Sequence, residues 1–424
     1  MVLEEKTIHD PVHGSMRLSG LVLDLVDSPE VQRLRGIRQL GLANLAFPGA
    51  NHSRFEHALG VAYLLKRMNE QLKLRGPELN LLLAAATLHD VGHAPYSHTL
   101  EYLMKEYVGK DHMELTGDIL QGKLSLCLPG ELERLRELRV PSVVDVLERH
   151  DINPKEVAQL LLGKHRKPYL GQLIYSDIDV DQMDYLLRDA HFTGVALGMV
   201  DIDRLMDTLC VHRGRMAILS KGIEAVEGLL TARALMYTSV YFHHTVRVAE
   251  MMLANAVDFA ISQDGPITKN NFYSMADSEL MEHLYSMEGY PKDIAMRLRY
   301  RQLFKPAYVE ERRDLTRAEK RGYIRRYSRW RSTRKLQDEI ADEAGVPHGQ
   351  VILDVPIVDI IISEPRLAKV EIPVLAEGKL EKLSKLSPIA SAIEKRQAPR
   401  YLLRVVTEPR RVARVGRAAK KVLG

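Results

Sequence analysis

Eleven residues, Leu88-His-Asp-Val-Gly-His-Ala-Pro-Tyr-Ser-His98, contain three histidines and an aspartate, a density of metal-binding and proton-transferring groups that a structural segment does not call for. His89 and Asp90 close an apolar stretch, Leu79 to Leu88, whose composition predicts a buried helix, and Gly92 and Pro95 break it just beyond. An imidazole and a carboxylate therefore leave a rigid support side by side, as a pair of metal ligands must. The dipeptide alone is weak evidence, because with 16 histidines in 424 residues about one His-Asp pair is expected by chance. This chain has three. His150-Asp151 lies in a charged stretch before Asn153-Pro154 and reads as a solvated loop, whereas His89-Asp90 ends a greasy helix beside two further histidines.

Two other segments supply what a metal would still lack. In Asn51-His-Ser-Arg-Phe-Glu-His-Ala-Leu-Gly60, Ser53 and Glu56 have the spacing of a capping box, and His57 falls one turn inside the helix they open. In the segment from Tyr175 to Asp189, the residues Asp181, Tyr185 and Asp189 recur every four positions and share one helix face. An acidic stripe is ordinarily a solvated face. Here Met183, Leu186 and Leu187 occupy the other side, and Tyr185 is a costly residue to spend on plain solvent.

These residues resemble the HD-domain phosphohydrolase superfamily, whose pattern of His, His-Asp and Asp falls here on His57, His89, Asp90 and Asp181. Asp10-Pro-Val-His-Gly14, Gln32-Arg-Leu-Arg35, Gln39-Leu40, Phe47-Pro-Gly-Ala50, Arg54-Phe-Glu-His57, His89 to His98 and Asp179-Val-Asp-Gln-Met-Asp-Tyr185 narrow the resemblance. Together they are similar to the deoxynucleoside triphosphate triphosphohydrolase branch, which includes the vertebrate enzyme joining a sterile alpha motif to an HD domain. The match begins near residue 6, with no sterile alpha motif expected before it, and runs in order to about Ser363. It implies a mainly α fold, a helical catalytic lobe over residues 1–315 and a smaller α+β lobe over 316–424.

Two neutral imidazoles and two carboxylates suit one divalent transition ion, Fe, Mn, Ni, Co or Zn, better than Ca or Mg; Mg would accompany the substrate phosphates. The resemblance implies attack of water on the α-phosphorus, release of intact triphosphate, and a proton for the leaving 5′ oxygen from His98. Glu101, three residues on, is expected to raise the pKa of His98 and keep it charged; the family more often has Asp there. Arg54, His93, His112, Arg233 and Tyr241 match positions turned toward the triphosphate or the active site. Tyr185 matches the residue packed on the deoxyribose, Asp189 one that hydrogen-bonds the sugar, and Gln39 with Leu40 the wall that excludes a 2′-hydroxyl. Read singly, Arg233 is equally a helix-surface charge and Tyr241 equally core. Gln182 departs from a family lysine and removes one phosphate contact.

The same resemblance implies a second nucleotide site. Lys6, Asp27, Gln32 and Arg35 match residues that read an activating guanine nucleotide, GTP or dGTP, at a subunit interface, and Arg301 and Lys305 match contacts to a neighbouring activator. Activator-dependent assembly into a homotetramer, with a dimer as the simpler homo-oligomer, is the expectation. Read without the family, Arg33, Arg35 and Arg38 form a basic helix face.

Composition agrees with an intracellular enzyme: 46% of residues are hydrophobic, and Cys127 and Cys210 are the only cysteines, read as buried thiols in a reducing compartment. The start has no signal-peptide pattern and the apolar runs are too short to span a bilayer, so a cytoplasmic protein without membrane contact is expected. Helical spacing marks Ser53 to Leu74, Leu79 to Leu88, Val180 to Asp189, Gly222 to Val257 and Ser278 to Tyr285. Val351 to Ser363, Leu367 to Leu375 and Arg400 to Thr407 read as strands, the last as an edge strand. Residues 395 to 424 hold ten Lys or Arg against one Glu, a basic tail that fits nucleic acid or an acidic partner but is commonly just solvated. Two other classes stay open. One is an HD phosphohydrolase for another ester, a nucleoside monophosphate, a cyclic nucleotide or an alarmone. Gly92-His93 stands where alarmone hydrolases of the superfamily usually carry Glu-Asp, and the Gly-Tyr-Pro extension of the cyclic-dinucleotide enzymes is missing. The other is a nucleotide- or nucleic-acid-binding protein with a relic site, against which the intact set of His57, His89, Asp90, Asp181 and His98 speaks.

Overall fold

A computed structural model describes residues 5–127, 129–311, 316–356, 372–395 and 401–424. The chain is mainly α, with three small sheets. An antiparallel hairpin, Glu5–Asp10 with Gly14–Ser19, leads into the helical body. The Arg54–Leu72 helix opens with the expected capping box of Ser53 and Glu56, and the Pro77–Leu88 helix starts on a proline and ends at His89, where the first-turn proline costs no hydrogen bond. These two helices and the Val180–Thr193 helix pack around one large apolar core.

The expected continuous helix from Gly222 to Val257 is broken. The Ile223–Met236 helix widens into a π-turn, Tyr237–Tyr241, and the chain restarts as the His244–Ile261 helix. The cause is local chemistry: the Thr238 hydroxyl donates back to the carbonyls of Ala234 and Leu235, and His243 caps the new helix by accepting from the Thr245 amide. Such single wide turns re-aim side chains, and this one turns Tyr237, Val240, Tyr241 and Phe242 toward a cavity.

In the three-stranded sheet Tyr401–Thr407 pairs antiparallel with both Lys305–Glu311 and Val351–Asp354. It is therefore the central strand, and the edge position expected from its alternation is corrected: residues 402–407 are all buried. Pro373–Ala376 joins the Arg215–Leu219 strand in parallel, extending the Leu209–His212 hairpin into a four-stranded sheet closed by Lys379–Lys382. The strand predicted from Val351 is described as far as Asp354, and 357–363 and 367–371 lie outside the described residues. Residue 315 likewise lies outside them; of the strands near it, 305–311 belongs to the sheet with 401–407, while Ile372, Val374, Leu383 and Ala390 pack into the core of the helical body.

The basic tail is partly compensated within the chain. Arg410 and Arg411 pair with Glu408 at 2.7 and 3.0 Å, Lys421 pairs with Glu343 at 2.8 Å, and Arg404 is buried on Asp354 at 2.8 Å. The Val412–Leu423 helix buries Val415, Ala418 and Ala419 against the Trp330–Ala344 helix. Cys127 and Cys210 are half-buried thiols rather than buried ones. His150 also departs from expectation, since its Nε2 meets Asp24 at 2.7 Å across the fold. No helix among the described residues is long and apolar enough to cross a membrane.

Because Leu403 is fully buried in the central strand, Leu403→Ala is expected to cost about 2–5 kcal/mol of unfolding free energy. Denaturant titration checks it; a loss below about 1 kcal/mol would restore the edge-strand reading.

Candidate metal centre and substrate cleft

Three helices deliver the candidate ligands to one point. His57 comes from the first turn of Arg54–Leu72, His89 and Asp90 from the end of Pro77–Leu88, and Asp181 from the first turn of Val180–Thr193. His57 Nε2 lies 3.2 Å from His89 Nε2, 3.1 Å from an Asp181 oxygen and 3.7 Å from an Asp90 oxygen. His89 Nε2 lies 3.4 Å from Asp90 and 4.0 Å from Asp181. Ligand atoms bonded to one transition ion at the usual lengths sit about 3.0–3.4 Å from each other; His57, His89 and Asp90 form a mutually close group, and Asp181 stands at its edge, near His57 but 4.0 Å from His89.

The tautomers agree. His89 Nδ1 is satisfied by the Ala86 carbonyl at 2.9 Å and His57 Nδ1 by the Asp184 carboxylate at 2.7 Å. Both rings thus donate through Nδ1 and turn Nε2 lone pairs inward, the outer-shell arrangement that orients metal-bound imidazoles. Burial opposes a charge on His57, yet the hydrogen bonds it donates to Asp181 and Asp184 outweigh that and push its pKa up to about 10. The pocket demands positive charge at Nε2, and a divalent ion meets that demand. The donor set therefore fits the expected metal.

Asp184, which the sequence reading passed over, organises this centre. It is fully buried and also accepts from His13 at 2.6 Å and from Arg188 at 2.8 and 2.9 Å. Burial alone would raise its pKa, but Arg188 and the two histidines hold it well below the carboxylate range. Arg188 in turn reaches Asp10 at 2.7 Å. The i, i+4 spacing of Asp184 and Arg188 was a visible signal; the long-range partners were not. A Cβ on Gly60 would come within 1.8 Å of Asp184 Oδ1, so glycine there is what lets the helices close.

A second cluster adjoins the first: ligand-type atoms of His93, His98, Glu101 and His112 lie within 4.8 Å of one another. The His93 and His112 rings stack at 3.9 Å, and His93 Nε2 lies 3.3 Å from Asp90. Glu101 corrects an expectation. Its carboxylate meets His112 Nδ1 at 3.1 Å, and although burial opposes ionisation, His112 draws its pKa down to about 2; Glu101 in return raises the pKa of His112 against the effect of burial. His98 is not kept charged: it opens to the cleft, but desolvation by the surrounding protein, with Arg54 and His112 beside it, pushes its pKa down to about 3. Burial, Arg54 and His112 likewise hold His93 neutral.

From this end a cleft of about 970 Å³ runs along Gln39, Leu40, Arg54, His98, Tyr185, Asp189 and Tyr241. Gln39, Arg54, His98 and Tyr185 also line the smaller cavity holding His89, Asp90, His112 and Asp181, so the two cavities adjoin across these side chains. Arg54 is anchored by Asp90 and by Ser97 Oγ at 2.7 Å. Asp189 sits between His52 Nε2 at 2.8 Å and the Tyr241 hydroxyl at 2.7 Å. Arg233 is buried, not a surface charge, and donates to Gln182 Oε1 at 2.9 Å, while Gln182 braces the Ser176 carbonyl at 2.7 Å. Neither Arg233 nor Gln182 lines the two cavities.

Sequence comparison agrees with this geometry: a model described as "HD domain" matches residues 54–189 and one described as "HD associated region" matches 200–424, more than half of the chain. The chain belongs to the HD-domain phosphohydrolase family. An uncharacterised protein of Methanocaldococcus jannaschii is 30% identical over 92% of this chain and 76% of its own length. The Dictyostelium discoideum homologue of the deoxynucleoside triphosphate triphosphohydrolase SAMHD1 is 29% identical over 72% of this chain, which spans 60% of that relative. The crystal structure of a hypothetical protein from Aquifex aeolicus superposes with a TM-score of 0.70 at 29% identity, covering 98% of this chain and all of the other.

The residues matched to an activator site form surface groups in this HD-domain chain. Lys6 and Asp27 pair at 3.6 Å with both side chains more than half exposed. Gln32 donates to the Val26 carbonyl and accepts from Arg35, whose guanidinium lies over the Phe55 ring at 3.6 Å. Arg301 donates to the Leu45 carbonyl at 2.8 Å, and Lys305 begins an exposed strand end. Arg33 is not part of a basic surface face, since it donates to the carbonyls of His93, Tyr273, Ser274 and Met275.

Asp184→Asn would keep the shape but weaken the acceptor that fixes His57. Metal affinity is expected to fall about 10- to 100-fold, read by competition with a chelator and elemental analysis; unchanged affinity would remove Asp184 from the centre.

Proposed function

We propose that the chain hydrolyses deoxynucleoside triphosphates to the deoxynucleoside and intact inorganic triphosphate. The observation that carries this reading is that the cavity lined by His89, Asp90 and Asp181 shares Gln39, Arg54, His98 and Tyr185 with an aromatic, partly apolar chamber. A triphosphate fits the charged end and a nucleoside the other. Similarity to the Dictyostelium homologue of a deoxynucleoside triphosphate triphosphohydrolase supports the substrate class.

His57, His89, Asp90 and Asp181 would hold a divalent ion, which would supply Lewis acidity and lower the pKa of a water toward neutrality. Water attacks the α-phosphorus, the bond to the 5′ oxygen breaks, and that oxygen takes up a proton. Arg54, buried and fixed by Asp90, presents cationic N–H groups to phosphate oxygens. His112, its pKa raised by Glu101 against the effect of burial, stands beside Arg54. His98 opens to the cleft and donates to the leaving oxygen; its depressed pKa means that the substrate's own negative charge must supply the basicity that Arg54 removes. Tyr185 and Tyr241 flank the sugar with Asp189 as acceptor, and Gln39 Oε1 is buried with no hydrogen-bond partner among the described residues, an acceptor available to a sugar hydroxyl. Arg233 acts one step back, through Gln182.

The same reading places a guanine-nucleotide activator at Lys6, Asp27, Gln32 and Arg35, with Arg301 and Lys305 contacting its neighbour, in a homotetramer of the cytoplasm. Nucleic acid would meet the basic C-terminal segment.

Purified protein incubated with Mn²⁺ or Mg²⁺, each dNTP, and GTP present or omitted should yield deoxynucleoside and triphosphate on anion exchange. His89→Ala and Asp181→Ala should each leave below about one hundredth of the parent rate. Pyrophosphate or orthophosphate as the product would move the chain to another phosphate-ester substrate.

A further inference from the structure

The far end of the cleft carries an ion pair that phosphate and sugar chemistry leaves unused. The first turns of the His244–Ile261 helix bring Val246, Arg247, Glu250 and Met251 to the same cleft wall. Arg247 NH1 and Glu250 Oε2 are 3.4 Å apart, and both side chains are largely buried. Arg247 also has a second carboxylate partner. Its NH2 meets Asp354 at the shorter distance of 2.7 Å, and the same carboxylate takes Arg404 and the Tyr401 hydroxyl. The guanidinium is thus pinned from behind, with Glu250 lying beside it on the cleft wall.

Glu250 is also next to the substrate wall. A Cβ on Gly41 would stand 2.9 Å from Thr99 Oγ1, 3.0 Å from the Tyr96 carbonyl and 3.5 Å from Glu250 Oε1. Gly41 has a φ of +51°, a conformation glycine adopts without strain, and it follows Gln39 and Leu40 directly. The carboxylate therefore borders the loop of Gln39 and Leu40.

We propose that Arg247 and Glu250 read the base, and that they favour guanine. This rests on the proposed triphosphohydrolase reading and deepens it. Guanine presents two adjacent donors, N1–H and N2–H, beside the O6 acceptor. A carboxylate accepts both donors in parallel, and a neighbouring guanidinium donates to O6. Adenine and cytosine offer one exocyclic donor next to a ring-nitrogen lone pair, and thymine one donor flanked by two carbonyls. Each sets a lone pair against the Glu250 carboxylate, and a desolvated charge left facing a lone pair is penalised heavily. Val246, Met251 and Phe242 supply apolar contact to any base and do not discriminate.

The test is one competition. All four dNTPs at equal concentration are incubated with the protein and saturating GTP, so that every substrate meets the same activated enzyme, and the four released deoxynucleosides are quantified. The expected result is deoxyguanosine in at least about tenfold excess over thymidine and deoxyadenosine. In Glu250→Gln, whose amide can accept only one donor and repels the second, that excess should fall to within about threefold while the other three products persist. A role of Glu250 in bracing the fold would lower all four products together and leave their ratio unchanged. Equal products from the parent, or an unchanged ratio in Glu250→Gln, overturns the proposal while leaving the triphosphohydrolase reading intact. If no dNTP turns over, that reading fails by itself. The base preference is then read by equilibrium competition among the four α,β-imido deoxynucleotides with GTP still saturating, where the absence of a guanine preference overturns it.

Discussion

The carboxylate of Asp184, fully buried and charged, is the constraint on which the rest of the structure depends. Two buried histidines and a buried arginine share it, so its desolvation is offset only if the N-terminal hairpin, the Arg54–Leu72 helix and the Val180–Thr193 helix are all in place. Breaking one member would leave an uncompensated charge in the core, at a cost of about 3–5 kcal/mol. The network therefore couples folding to function: the hydrogen bond that neutralises Asp184 is the one that fixes the tautomer of His57.

Around this point charge is arranged by sign along one cleft. Carboxylates surround the two Nε2 atoms of the metal centre, whereas Arg54 and the Glu101-paired His112 stand at its rim. The first group draws in a cation and the second an anionic chain. Beyond them the cleft turns aromatic through Tyr185, Tyr241 and Tyr237, which suits a nucleoside. The π-turn at Tyr237–Tyr241 matters here, because a regular helix would rotate Tyr241 away from Asp189.

The local part of this design was legible in the sequence. His57, His89, Asp90 and Asp181 could be named because their spacing relative to caps and helix ends is set by neighbours in the chain. The capping box at Ser53 and the shared face of Asp181, Tyr185 and Asp189 follow from periodicity alone. What could not be read was pairing between distant segments. Glu101 was matched to His98 by spacing and does stand near it, yet the partner it hydrogen-bonds is His112 from another helix. Tyr401–Thr407 alternates like an edge strand, but its second neighbour lies some fifty residues earlier, and no local pattern reveals that. Asp184 stood in plain view inside the quoted motif; only the fold shows that two other segments close on it.

The central claim is that one ion is held jointly by His57, His89, Asp90 and Asp181. Crystals soaked with Mn²⁺ and measured at the manganese edge test it most directly. The account predicts an anomalous peak within about 2.0–2.3 Å of both Nε2 atoms and of one oxygen from each aspartate. A sole peak among His93, His98, Glu101 and His112, or a peak that omits either histidine, would contradict it.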